Sequence, residues 1–155
     1  MKALVIYYSR TGITKKVAEE IARSLGAGLE EIADTKDRSG PVGYLVAGKD
    51  ATLGARTSIR KPEKDPSKYD MVIIGTPVWS FTVSVPVKEY ILMNKERIGK
   101  AAFFCTQGDM GAEGAFREMK RLCGKKPVAT LALRTVEVAK GEYGQKMKEF
   151  VGKLR

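Results

Sequence analysis

The stretch YYSRTGITKK, residues 7–16, joins an apolar run to a helical pattern through a turn rich in hydroxyl groups. The run at residues 3–8 is β-rich and predicts a strand buried on both faces. From Lys15 the apolar residues recur at helical spacing, and Gly26 supplies a plausible C-terminal cap. The sequence therefore predicts a strand, a polar turn and a helix in direct succession.

Hydroxyl donors and a permissive glycine occupy this turn, as Ser9, Thr11, Gly12 and Thr14. Such a turn at a helix N-terminus can enclose a phosphate through O–H and N–H donors and the helix dipole. The chain has neither GxxxxGK[ST] nor GxGxxG here, so a monophosphate fits better than a nucleoside triphosphate. The alternative interpretation is an ordinary turn in which Thr14 caps the helix.

The composition favours an anionic ligand or partner and excludes several kinds of site. Among 155 residues, 28 are Lys or Arg and 18 are Asp or Glu, which gives a net charge of +10. A solvated cationic surface is the alternative explanation of that charge. The chain has no histidine, and its two cysteines form no CxxC pair, so we predict no metal site and no catalytic protein residue. The apolar run at residues 3–8 is too short to span a bilayer, so we expect a cytoplasmic protein without membrane insertion.

Strand and helix patterns alternate along the chain. Strands are predicted at residues 3–8, 29–32, 71–74, 101–105 and 128–133, and helices from residue 15, from Pro86, and at 115–122 and 143–154. The order predicts an α/β fold in which one parallel sheet lies between two helical layers, as a single domain over residues 1–155. Residues 34–68 are the least readable, although VGYLVAGKDATL within them could form a helix.

Three polar loops follow the first, third and fourth predicted strands, as SRTGIT, TPVWSFT and TQGDMG. Because the carboxyl ends of parallel strands lie at one sheet edge, we expect these loops to converge on a ligand. Trp79, the only tryptophan, lies beside Phe81 and is suited to stacking on an aromatic heterocycle, although it could equally be packed in the core. The third loop offers amides and polar side chains to a heterocycle's edge, or it is simply a flexible loop.

These residues carry a resemblance to the flavodoxin family. The phosphate-loop pattern [ST]-x-T-G-x-T is matched by Ser9, Thr11, Gly12 and Thr14, and the segments YDMVIIGTPVW and AAFFCTQGDMG resemble the strands and loops that flank the flavin ring. The resemblance implies strand order 2-1-3-4-5 and noncovalent binding of FMN. The candidate FMN-binding residues are Ser9, Arg10, Thr11, Gly12, Ile13, Thr14, Thr76, Pro77, Val78, Trp79, Ser80, Phe81, Thr106, Gln107, Gly108, Asp109 and Gly111.

The resemblance implies an FMN-binding redox protein that carries electrons between partner proteins. The chain departs from that family in its basic charge, in the absence of glycine from TPVWSFTVSVP and in the absence of tyrosine from TQGDMGAEG. The first two departures favour an alternative, an NAD(P)H-dependent FMN reductase that acts on a quinone-like acceptor in two-electron steps. A third hypothesis is a binding module for anions or nucleic acid without flavin, although no nucleic-acid-binding signature accompanies the basic residues.

Overall fold

A computed structural model of the chain describes residues 1–155 and shows a parallel sheet covered by helices on both faces. The sheet contains strands β1 (Ala3–Tyr7), β2 (Gly28–Glu31), β3 (Met71–Trp79), β5 (Lys100–Gln107) and β6 (Thr130–Arg134) in the order β2-β1-β3-β5-β6. All neighbours in this order are parallel, so the predicted fold class and the predicted 2-1-3-4-5 order of five strands are confirmed.

One further strand was not predicted. β4 (Thr82–Val83) pairs antiparallel with the end of β3, where Val78 is opposite Val83 and Trp79 is opposite Thr82. β3 therefore runs to Trp79, five residues beyond the predicted end of the strand at residue 74. The loop predicted after the third strand is thus a hairpin that projects from the carboxyl edge of the sheet.

Six helices accompany the strands: α1 (Ile13–Leu25), α2 (Gly40–Thr52), α3 (Val85–Asn94), α4 (Ala112–Cys123), α5 (Thr135–Lys140) and α6 (Gly144–Leu154). Two short 3-10 turns lie at Pro66–Lys68 and Lys95–Arg97. α2 covers nearly all of VGYLVAGKDATL, the stretch that was named as a possible helix, so that prediction is confirmed, whereas α5 was not predicted. None of the helices combines the length and the apolar character that a membrane crossing requires.

The side chains of β1 point alternately to the two faces of the sheet, and the core is accordingly divided into two layers. Val5 and Tyr7 pack with the apolar faces of α1 and α6, whereas Leu4 and Ile6 pack with α3 and α4 on the other side of the sheet. Successive strand residues point to opposite faces, so a strand buried on both sides is apolar throughout, as the first run of the sequence is. The two layers hold the sheet rigid beneath its carboxyl edge.

Gly75 leaves room for an aromatic ring of the neighbouring strand just below that edge. A Cβ atom at this position would lie 1.9 Å from Cζ of Phe104, the paired residue on β5. The ring of Phe104 therefore fills the space above the glycine. This contact fixes the strand end from which the hairpin and its aromatic residues emerge.

Candidate functional site

A cleft of about 750 Å³ opens at the carboxyl edge of the sheet. The three predicted loops form most of its lining, and α2 forms the remaining wall. Thirteen of the predicted residues line it: Arg10, Thr11, Ile13, Thr14, Pro77, Val78, Trp79, Ser80, Phe81, Thr106, Gln107, Gly108 and Asp109. The volume lies within the range of roughly 300–1,000 Å³ that is usual for cofactor and small-molecule sites.

The first loop enters α1 without a side-chain cap. Gly12 is the N-cap residue, and its φ of 96° lies in the left-handed region that favours glycine. The Gly12 amide donates to Oγ of Ser9 at 3.0 Å, while the first amides of α1 have no partner within the helix. A helix N-terminus of this kind, lined by hydroxyl groups, is suited to a phosphate.

Thr14 does not cap the helix, in contrast to the alternative considered from the sequence. Its hydroxyl lies 2.8 Å from the hydroxyl of Thr106, and both side chains are buried. The pair therefore links α1 to the end of β5, so the first and third loops are held together. Each hydroxyl can both donate and accept, and one proton of the pair remains free for a ligand.

Arg10 carries positive charge into the cleft. Its guanidinium donates to the carbonyl oxygens of Arg38 and Gly40 at 3.4 and 3.5 Å, and it lies 5.3 Å from the ring centroid of Tyr44. Because its partners are carbonyl groups rather than a carboxylate, its charge is not neutralised by an ion pair. An anion bound in the cleft would meet this charge.

Trp79 lines the cleft but presents little surface to it. The residue is 6% exposed, with the guanidinium of Arg38 5.1 Å from its ring centroid and the ring of Tyr8 perpendicular to it at 5.5 Å. Burial, together with the nearby carboxylate of Asp34, raises the pKa of Tyr8 to about 12, so Tyr8 stays neutral at physiological pH. Trp79 is thus both a packed residue and part of the cleft wall.

Phe81 is the aromatic residue that the hairpin exposes. Phe81 is 63% exposed, and Ser80 and Phe81 have φ angles of 48° and 64°, as a two-residue turn with both central residues left-handed requires. The turn rests on α4, because a Cβ atom on Gly114 would lie 2.1 Å from the Phe81 carbonyl oxygen. Left-handed backbone is strained for a bulky residue, and such strain is concentrated at functional sites.

The third loop is ordered by hydrogen bonds at both ends. Oε1 of Gln107 accepts from the Ala112 amide at 3.0 Å, and the Gln107 carbonyl accepts from the Thr135 hydroxyl at 3.1 Å. Between these anchors Gly108 and Asp109 are exposed at the cleft. The loop therefore has fixed ends and a tip that remains accessible to a ligand.

Four predicted residues do not line the cleft but support it. Ser9 and Gly12 shape the first turn, and Gly111 has a φ of 112° beside the hairpin, where a Cβ atom would meet Val78 at 2.7 Å. The buried Thr76 hydroxyl accepts from the Ser84 amide at 3.0 Å and so braces the hairpin.

Seven lining residues were missed by the sequence analysis: Tyr44, Leu45, Ala47, Gly48, Lys49, Met110 and Thr135. Five of them lie on α2, in the region that the sequence left unread. The apolar run VGYLVAG could have indicated them, because its large apolar residues do not recur at the spacing of a buried helix face.

Neither cysteine has the surroundings of a nucleophile. Cys105 and Cys123 are free and buried, and burial raises the pKa of the Cys105 thiol to about 12. No group of three or more acidic or cysteine side chains is placed to hold a metal ion.

Comparison with known proteins relates this architecture to solved flavoproteins. A flavoprotein from Lactobacillus acidophilus NCFM, crystallised in complex with FMN, is 27% identical, with a TM-score of 0.74 over 90% of this chain and 97% of that one. The two-electron reduced flavodoxin of Megasphaera elsdenii is 14% identical, with a TM-score of 0.61 over 99% of both chains. The oxidised Flavodoxin 2 of Bacillus cereus is 17% identical, with a TM-score of 0.58 over 99% of this chain and 97% of that one.

At these last two identities the likeness concerns the fold alone. No curated protein matches the sequence. A family model described as Flavodoxin matches residues 2–146, which is nearly the whole chain. The resemblance to the flavodoxin family is thereby confirmed, and the chain belongs to that family.

Proposed function

We propose that this protein holds FMN in the cleft and carries electrons between partner proteins. FMN is the cofactor expected from the family to which the chain belongs, and the Lactobacillus flavoprotein was crystallised with it. The observation that carries the proposal is the meeting of three separate loops at one cleft, where a helix N-terminus lies at one end and aromatic side chains at the other.

The residues at the phosphate end fit a phosphate monoester. The amides of the first turn of α1, the exposed hydroxyl of Thr11 and the free hydroxyl proton shared by Thr14 and Thr106 are donors, and Arg10 adds a positive charge. Hydrogen bonds to a charged group each contribute about 1.5–3 kcal/mol. These groups would hold the phosphate of FMN.

The residues at the other end fit a flat, largely apolar ring. Val78, Phe81 and Met110 line this part of the cleft together with the accessible edge of Trp79, and the tip at Gly108 and Asp109 brings polar groups. Bound FMN supplies reversible uptake of electrons and protons. The chain's own residues bind and orient the ring, exclude water from it and set the charge around it.

The direct test is reconstitution of flavin-free protein with FMN and, in parallel, with riboflavin, followed by fluorescence titration. We expect one FMN per chain, and a much weaker affinity for riboflavin because it lacks the phosphate. Equal affinities would contradict a phosphate site at α1, and failure of the refolded protein to take up either flavin would overturn the proposal.

A second candidate function is the NAD(P)H-dependent two-electron reductase with a quinone-like acceptor. It is favoured by Lys49, which is exposed on the cleft wall, and by Arg10, whose charge no carboxylate neutralises. Two cations beside the cleft would attract the phosphates of a pyridine nucleotide. Mixing the FMN-loaded protein with NADH or NADPH separates the two: rapid loss of the oxidised flavin absorbance supports the reductase, and no loss supports the carrier.

The proposal also includes a cytoplasmic location. Both cysteines are free, as is usual in a reducing compartment. Cell fractionation with an antibody against the protein tests this point, and recovery outside the cytoplasmic fraction would refute it.

A further inference from the structure

Arg38 lies at the centre of a buried ion cluster behind the cleft wall. Its side chain is 0% exposed, with Nε 2.6 Å from Oδ2 of Asp34 and one terminal nitrogen 2.7 Å from Oδ2 of Asp50. Lys36 also contacts Asp50, at 3.0 Å. The two carboxylates and two cations balance, so the cluster brings no net charge to the cleft.

The remaining terminal nitrogen of Arg38 is buried and has no hydrogen-bond partner. Leaving such a group unpaired is costly, so another interaction must compensate for it. The guanidinium lies over Trp79 at 5.1 Å from the ring centroid, which is within the range of a cation–π contact. The face of the indole is therefore the group that compensates the unpaired nitrogen.

The backbone of Arg38 is equally constrained. Its carbonyl accepts from the Arg10 guanidinium at 3.4 Å, which ties it to the first loop. The first turn of α2 packs directly on it, because a Cβ atom on Gly43 would lie 2.1 Å from the Arg38 carbonyl oxygen. Four parts of the cleft region thus meet at one residue: the first loop, α2, the end of β3 and the segment after β2.

We propose that Arg38 is a positioning residue for the flavin cleft, one that fixes Trp79 and α2 relative to the first loop. The inference rests on the function proposed above. A buried ion cluster contributes little stability compared with apolar packing of the same volume. Its value here is geometric, because the rigid guanidinium group binds two carboxylates at once while it remains over the indole ring.

The test compares Arg38→Met with Arg56→Met. Arg56 is the control, because it also contacts a carboxylate, that of Glu89, through two nitrogens, but it is exposed and lies over no aromatic ring. Trp79 is the only tryptophan, so the indole emission and the indole bands of the near-ultraviolet circular dichroism of flavin-free protein report on its surroundings.

For Arg38→Met we expect a changed Trp79 spectrum without flavin, and FMN and riboflavin affinities that fall by the same factor. That factor should be about tenfold, because a misplaced Trp79 costs binding free energy only up to the value of the contact that positioned it. Arg56→Met should change neither quantity. An equal fall for both flavins identifies an effect on the ring end, since an effect on the phosphate end would spare riboflavin.

Unchanged affinities and an unchanged Trp79 spectrum in folded Arg38→Met would overturn the inference, and so would a loss confined to FMN. If Arg38→Met does not fold, Arg38→Lys keeps the charge but not the fork, and the same spectra and titrations then decide by the same criteria. Failure of the wild-type protein to bind FMN would instead refute the proposed function, whereas the spectrum of the flavin-free protein tests the contact with Trp79 independently.

Discussion

Replacing Thr11 by valine should weaken FMN binding without weakening the fold. Thr11 is exposed at the end of the cleft that we propose for the phosphate, and substitution of an exposed residue usually changes stability by no more than about 0.5 kcal/mol. Loss of one hydrogen bond to a phosphate costs about 1.5–3 kcal/mol of binding free energy. The FMN dissociation constant should therefore rise by roughly 10- to 150-fold.

The matching change at Thr14 should have a second effect. Thr14→Val removes the partner of the buried Thr106 hydroxyl, 2.8 Å away, and an unsatisfied buried hydroxyl costs about 1–3 kcal/mol. Urea unfolding should show this loss for Thr14→Val and not for Thr11→Val. The two variants thus distinguish Thr11, whose hydroxyl would only bind the ligand, from Thr14, whose hydroxyl also links two loops.

Fluorescence titration of flavin-free protein measures both dissociation constants, and riboflavin provides the internal control. Thr11→Val should leave the riboflavin affinity unchanged, because the missing donor has no phosphate to meet. An unchanged FMN affinity in Thr11→Val would refute the assignment of this loop to the phosphate. An equal loss for FMN and riboflavin would refute it too, since the effect would then lie at the ring.

Three further changes test other features of the structure. Gly75→Ala places a Cβ atom 1.9 Å from Phe104, so overpacking should lower the unfolding free energy by about 1–3 kcal/mol or more, whereas Gly99→Ala, with open space around its Cβ, should not. Phe81→Gly relieves left-handed backbone strain of about 1–2 kcal/mol, so the unfolding free energy in urea should stay the same or rise slightly while flavin affinity falls. A clear loss of stability would show that the turn is not strained. Burial opposes the charge of Asp50, but hydrogen bonds from its cationic partners more than offset this and hold the pKa of that carboxyl below its ordinary value. The stability it contributes is present above its unfolded pKa of about 4 and is lost as the pH falls through the lower folded value, so the acid side of a stability profile should be flatter in Asp50→Asn.

Much of the sheet was predictable because its strands are apolar on both faces. The run from Ala3 and the run from Met71 predicted two strands, which the family resemblance placed side by side, and the hydroxyl-rich turn after Ala3–Tyr7 predicted the helix N-terminus that lines the cleft. Local sequence is sufficient there because burial, strand preference and turn chemistry all agree.

The hairpin was not predictable on the same grounds, and α2 was predictable only as a possible helix. A tight turn with two left-handed residues is expected to contain glycine, asparagine or aspartate, and this one contains Ser80 and Phe81. α2 exposes large apolar residues such as Leu45, which is 70% exposed, so it shows no stripe of buried residues at helical spacing. The Arg38 cluster depends on contacts among residues far apart in the chain, which no local pattern reports.

The hydroxyl pair of Thr14 and Thr106 also bears on which flavins the protein would accept. Because it joins α1 directly to the end of β5, the first loop, at the proposed phosphate end, cannot move away from the third loop, whose tip at Gly108 and Asp109 lies at the ring end, without breaking a buried hydrogen bond. The spacing between the two ends is thus a fixed length, and the polyol chain of the flavin has to span it. A synthetic analogue with one carbon fewer in that chain would make its contacts at only one end at a time. The protein would therefore select flavins by the length of this chain as well as by the ring and the phosphate.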